Sequence, residues 1–129
     1  MLKSGLLNPA VLALIARVRH TNTLVIADRG FPFWPQIETV DLLLVDDIPT
    51  VLQVVDALLP HFLIGTVFAA EEFLRANPAP IQEAMRQRFA GIPLRFESHV
   101  DLKRRVPQAI GLIRTGDTIP YANLILESA

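Results

Sequence analysis

Asn8 to Asp28 reads NPAVLALIARVRHTNTLVIAD, and its two periodicities decide the fold. Asn8 is a side chain that accepts from the free amides of a helix start, and Pro9 follows where a missing N–H costs nothing. Val11, Leu14, Ile15 and Val18 then fall at helical spacing, one apolar stripe running to about Arg19. From Thr23 to Ala27 the pattern changes to an unbroken apolar run, suited to a strand covered on both faces. The unit is a helix, a doubly buried strand, and an aspartate where the strand ends.

The same alternation continues along the chain. Asp41 to Val45 predicts a second strand ending at Asp46 and Asp47. Thr50 caps a helix with Val51, Val54, Val55 and Leu58 inward, stopped by Pro60. Leu63 to Ala69 predicts a strand, followed by Glu71-Glu72. Pro78 and Pro80 open a helix through Ile81, Ala84, Met85 and Phe89, and Gly91 closes it. Leu94-Arg95-Phe96 alternates like a partly exposed strand, and a short helix runs from about His99 to Val106. Two last strands, Ala109–Ile113 and Ala122–Leu126, are joined across Thr115-Gly116-Asp117. Six strands alternating with helices predict an α/β fold. The expected form is a three-layer α/β/α sandwich with a mainly parallel sheet, built as a single domain over residues 1–129.

Composition narrows the function. Of the 129 residues 51% are hydrophobic and 19% charged, as in globular chains. The mean hydropathy of +0.38 is high for so small a domain and points to apolar surface covered in an oligomer. A net charge of −1 without a basic run argues against nucleic acid. The absence of cysteine excludes disulfides, thiolate catalysis and Cys-based metal sites. No strand is followed by GxGxxG or a P-loop, and the three histidines lack H-x-x-x-H spacing, so neither nucleotide cofactor nor metal is expected. The most apolar stretch contains Asp56, Pro60 and His61, and the N-terminus lacks a continuous apolar core. Neither a membrane span nor a signal peptide is expected, which leaves the cytoplasm as the expected location.

In a parallel α/β sheet, ligands collect beyond the carboxyl ends of strands. Asp28 lies at such an end, and so do Asp46, Asp47, Glu71 and Glu72 on this reading. His20, at a helix end, either caps carbonyls or exchanges protons. Asp28 either orients an imidazole or forms the turn before Arg29-Gly30. His99 carries the same two readings as His20, a functional imidazole or simply the opening of a short helix with Ser98. Tyr121-Ala122-Asn123 offers donors and acceptors suited to sugar hydroxyls, or else a packed ring and a turn amide. Trp34 stacks on a sugar's C–H face, covers a subunit contact, or is part of a rigid loop.

Taken in order, LNPAVLALIARVRHTNTLVIADRGFP, the strand before IPTVLQVV, FAAEEFLRANP, SHVDLK and IRTGDTIPYANLIL resemble the RbsD/FucU family of sugar-ring isomerases, which includes D-ribose pyranases and L-fucose mutarotases. The resemblance implies a cofactor-free intramolecular isomerase that interconverts pyranose and furanose forms of a free monosaccharide. Gly30 and the Ala of Tyr121-Ala122-Asn123 resemble the ribose branch, so D-ribose is the expected sugar. Trp34 departs from that branch, which usually carries a smaller residue there. By the same resemblance His20 is the proton donor, and Asp28, His99, Tyr121, Ala122 and Asn123 bind substrate. It further implies a homo-oligomer, a pentamer or a decamer, with the pocket near a subunit boundary. Two alternatives are a fucose-type mutarotase and a non-catalytic sugar-binding or transport-accessory protein.

Overall fold

In the computed structural model, which describes residues 1–129, Asn8 caps α1 (Pro9–Ile15) by accepting the Val11 N–H at 3.0 Å. The chain continues through β1 (Thr23–Ala27), β2 (Glu38–Asp41), α2 (Val51–Leu58), β3 (Ile64–Ala70), α3 (Glu71–Ala76) and α4 (Ala79–Arg88). It ends with β4 (Leu94–Glu97), α5 (His99–Arg105), a 3₁₀ turn at Val106–Gln108, β5 (Gly111–Arg114) and β6 (Leu124–Ser128).

The six strands form one sheet in the order β2-β5-β1-β6-β3-β4. β1 pairs parallel with β5, β5 with β2, and β3 with β4, whereas β6 is antiparallel to both β1 and β3. Five strands therefore run one way and β6 alone runs back between two of them.

Side chains alternate across the strands and divide the core in two. Leu24, Ile26, Val67, Leu124 and Leu126 pack toward Val11 and Leu14 of α1, Val54, Val55 and Leu58 of α2, Phe73 of α3 and Met85 of α4. Val25, Ala27, Phe68 and Ile125 point the other way, onto Leu102 of α5 and Val106. The expected sandwich is thus formed, with α1 to α4 on one face and α5 on the other.

Several boundaries differ from the sequence reading. α1 stops at Ile15 rather than near Arg19, because the Arg17 and Val18 amides bond to carbonyls three residues back and tighten the turn. The second strand is Glu38–Asp41, not Asp41–Val45. Its register against β5 ends at Asp41↔Arg114, after which Asp41 Oδ1 takes the Leu43 N–H in a local turn. Leu44, Val45 and Ile48 are exposed, so their hydrophobicity does not reflect burial in this chain. The last strand begins at Leu124 rather than Ala122. Helix α3 was not anticipated. Glu71 and Glu72 occupy its first turn, where negative charge favours free amides.

One buried carboxylate ties the strand ends together. Asp117 is only 1% exposed, and it accepts the Val51 N–H (2.8 Å) at the start of α2 and the Ile119 N–H (2.8 Å). It adds to the capping box made by Thr50 and Gln53. Beside it, a Cβ on Gly116 would lie 2.4 Å from the Val45 carbonyl oxygen, so the close approach requires glycine.

Candidate active site

The reversal of β6 determines which residues meet. β1 and β4 deliver Asp28 and His99 at their carboxyl ends, and β6, running the other way, delivers Tyr121-Ala122-Asn123 at its amino end. All five predicted substrate-binding positions thereby converge on one edge of the sheet.

Asn123 joins them. Its Oδ1 accepts the Asp28 backbone N–H at 2.7 Å, which turns its Nδ2 toward His99 Nε2 at 3.3 Å. An amide nitrogen only donates, so His99 Nε2 is the acceptor and the imidazole proton sits on Nδ1. Asn123 is 2% exposed and is therefore held in this orientation. Ala122, also buried, adds no polar side-chain group.

Asp28 is half-buried, and its Oδ1 accepts the Gly30 N–H at 2.9 Å. Burial pushes its carboxyl above the usual aspartate range. The bonds from Gly30 and the Asn123 side chain pull it back, Asp117 pushes it further, and His99 opposes that rise. The His99 imidazole is pushed below the ordinary histidine value by burial and by Lys103, against the pull of Glu72 and Asp28. A neutral imidazole and a reluctant carboxylate suit the binding and polarising of hydroxyl groups.

Aromatic edges frame the imidazole. Tyr121 meets it at 5.1 Å between centroids and 85°, and Phe31 at 6.0 Å and 72°. Tyr121 has a φ of 57°, a left-handed conformation strained for a tyrosine. Asn77 holds the preceding peptide, with Nδ2 donating to the Pro120 carbonyl (2.9 Å) and the Phe73 carbonyl (2.9 Å). Phe31 and Asn77 escaped the sequence reading. Neither carries a distinctive motif, and only the tertiary fold brings them here.

His20 does not join this group within one chain. It lies in the exposed turn before β1, at the opposite edge, where Thr21 and Ser128 bond across the strand ends. The five residues of β1, at about 3.3 Å each, put roughly 16 Å between the two edges. Orientation of the His20 imidazole by Asp28 of the same chain is therefore ruled out. Of the other strand-end carboxylates, Asp46 pairs with Arg29 (2.5 Å), Asp47 accepts from the Thr118 amide (3.0 Å) and hydroxyl (2.8 Å), and Glu71 is exposed. No three His, Asp or Glu side chains converge closely enough to hold a metal ion.

Trp34 is half-buried against Phe31, with centroids 6.4 Å apart. With Phe33, Val100, Lys103, Arg104 and Pro107 it lines an open groove of about 680 Å³. The groove runs along the outer face of α5, next to His99.

The whole chain, residues 1–129, matches the RbsD / FucU transport protein family. It is 41% identical over 128 residues to a D-ribose pyranase of Geobacillus kaustophilus, covering 99% of this chain and 93% of that one. The solved structure of Bacillus subtilis RbsD complexed with D-ribose covers all of this chain and 98% of its own at a TM-score of 0.93 and 30% identity. A fucose mutarotase from Streptococcus pneumoniae, solved in complex with L-fucose, shares the fold at a TM-score of 0.80, with 19% identity over 95% of this chain and 92% of that one.

Proposed function

The chain belongs to the RbsD/FucU family, and from that premise we propose that it is a D-ribose pyranase, interconverting the pyranose and furanose forms of the free sugar. The observation that carries this reading is the ring of Asp28, Asn123, His99 and Tyr121 at the reversed strand, in a chain alike throughout its length to D-ribose pyranases. Those relatives favour ribose over fucose.

The reaction has two halves. The anomeric hydroxyl loses its proton, the bond from the anomeric carbon to the ring oxygen breaks with its electron pair going to that oxygen, and the ring oxygen takes up a proton. An open-chain aldehyde results, and it recloses through a different hydroxyl. The oxidation state of the sugar does not change, so no electron acceptor enters the scheme. An imidazole can both give and take a proton, which suits a reversible isomerisation, and a placed acid or base contributes roughly 10²–10⁴-fold. His20 is assigned this proton transfer. Asp28 accepts from a sugar hydroxyl, the His99 Nδ1–H and Tyr121 hydroxyl hold others, and Asn123 keeps the His99 proton on Nδ1. A sugar lacking a matching hydroxyl leaves these groups unpaired and is disfavoured.

His20 reaches such a sugar only from a second copy of the chain. The protein accordingly works as a homo-oligomer, of the pentameric or decameric kind the family resemblance implies. One subunit's β1 entry turn closes over the neighbour's Asp28–His99 edge. The exposed Phe33, Val100 and Tyr121 around that edge support such a contact. Saturation-transfer NMR on D-ribose and L-fucose with the purified protein tests the reading. Faster pyranose–furanose exchange of ribose, lost in His20→Ala, is expected. Exchange of fucose alone would make it a mutarotase, and tight binding with no rate enhancement a sugar-binding protein.

A further inference from the structure

One carboxylate beside the site is not used by the reaction as described. Glu72, in the first turn of α3, is partly buried, and its Oε2 accepts the backbone N–H of His99 at 2.9 Å. That amide begins α5 and has no partner within its helix, since Ser98 caps Asp101 instead. The other Glu72 oxygen lies 3.4 Å from Arg75, an exposed side chain one turn along.

We infer that Glu72 is a positioning residue for His99, fastening the amino end of α5 to the amino end of α3 so that the imidazole stays between Asn123 and Tyr121. The bond spans two strands' carboxyl ends, because β3 leads directly into Glu71-Glu72 and β4 through Ser98 into His99. Leu102 packs α5 onto the sheet, and the bond from Glu72 holds the first amide of the helix, at His99 itself. The His99 side chain has its own tie to Asn123, so the backbone bond from Glu72 and the ring contact with Asn123 fix the residue at two points.

Glu72 also contributes charge. The groups facing the imidazole are Asp28 after β1, Glu72 on α3, Lys103 on α5, and the Tyr121 and Asn123 side chains beside β6. Glu72 and Asp28 favour the imidazolium and Lys103 opposes it. Removing the Glu72 charge therefore lowers the pH at which His99 protonates, even where its position is kept.

The consequence for turnover rests on the ring-isomerase reading, whereas the consequence for His99 does not. The test compares Glu72→Gln, which keeps an acceptor oxygen and loses the charge, with Glu72→Ala, which loses both. His99 is titrated by NMR of its ring signals, and ribose exchange is measured at pH 8. Glu72→Gln is expected to shift the His99 titration to lower pH with KM within about twofold of wild type. Glu72→Ala is expected to raise KM about tenfold, the loss of one hydrogen-bonded constraint, and to move the ring signals. Unmoved His99 ring signals or a wild-type KM in Glu72→Ala overturn the positioning role, and should that variant fail to fold, an unmoved His99 titration in Glu72→Gln overturns the contact from which the role is argued. If wild type shows no ribose exchange, the isomerase reading fails while the titration still decides the role of Glu72.

Discussion

Asp28 and His99 are each held in a state that the unfolded chain does not favour, and the direction of each shift has a measurable result. Folded Asp28 keeps its proton to higher pH than its ordinary 3.8, so its contribution to stability falls as pH rises from there through the folded value. Asp28→Asn, which retains an acceptor for the Gly30 amide, is expected to raise the melting temperature at pH 7 by a few degrees. The same change is expected to lower kcat/KM for ribose by roughly tenfold to a hundredfold, as a charged hydrogen bond is lost. His99 resists protonation below its ordinary 6.5, so stability declines as pH falls from 6.5 through its folded value. The ribose KM is accordingly expected to be flat above pH 6.5 and to rise only below it. A rise centred above 6.5 would contradict a neutral, depressed His99.

At the scale of elements, the site depends on loops held at fixed distances from the strand ends. Asp117 serves two backbone amides from a buried position, so Asp117→Ala leaves them unpaired and is expected to cost about 3 kcal/mol in urea unfolding. Tyr121→Gly separates strain from function. Relief of the left-handed backbone is expected to offset much of the lost packing and leave stability within about 1 kcal/mol of wild type, while the ribose KM rises. Much of this was legible in the sequence. Asn8-Pro9 and Thr50 marked two helix starts, and the apolar run at Thr23–Ala27 gave β1 to the residue, because capping chemistry and double burial are local signals. The displaced β2 was not legible. Leu44 and Val45 carry the hydrophobicity of a buried strand, yet they lie in an exposed turn, and a pattern cannot say whether burial is within or between chains. Nor does any residue announce that β6 runs backward. That reversal alone brings Tyr121–Asn123 to Asp28 and His99, and it comes from long-range pairing with β1 and β3.

The whole molecule has a polar cluster at one edge of its sheet and His20 at the other. Phe33 (77% exposed), Leu44 (74%) and Val100 (57%) are apolar side chains left open around or near the first edge. On the proposed reading they meet a second copy head to tail, a contact that forms a ring where the rotation between copies closes. Size measurement by light scattering is expected to show an assembly, and a Val100→Asp variant is expected to weaken it together with ribose exchange while each subunit keeps its fold. The proposed sharing of the site between copies is tested most directly by mixing His20→Ala and His99→Ala, each expected to be inactive alone, through dissociation and reassembly. Random mixing in a ring gives about a quarter of the sites both intact residues, and ribose exchange is expected to return to about that fraction of wild type. Mixed assemblies that form and remain inactive would contradict a site built from two copies.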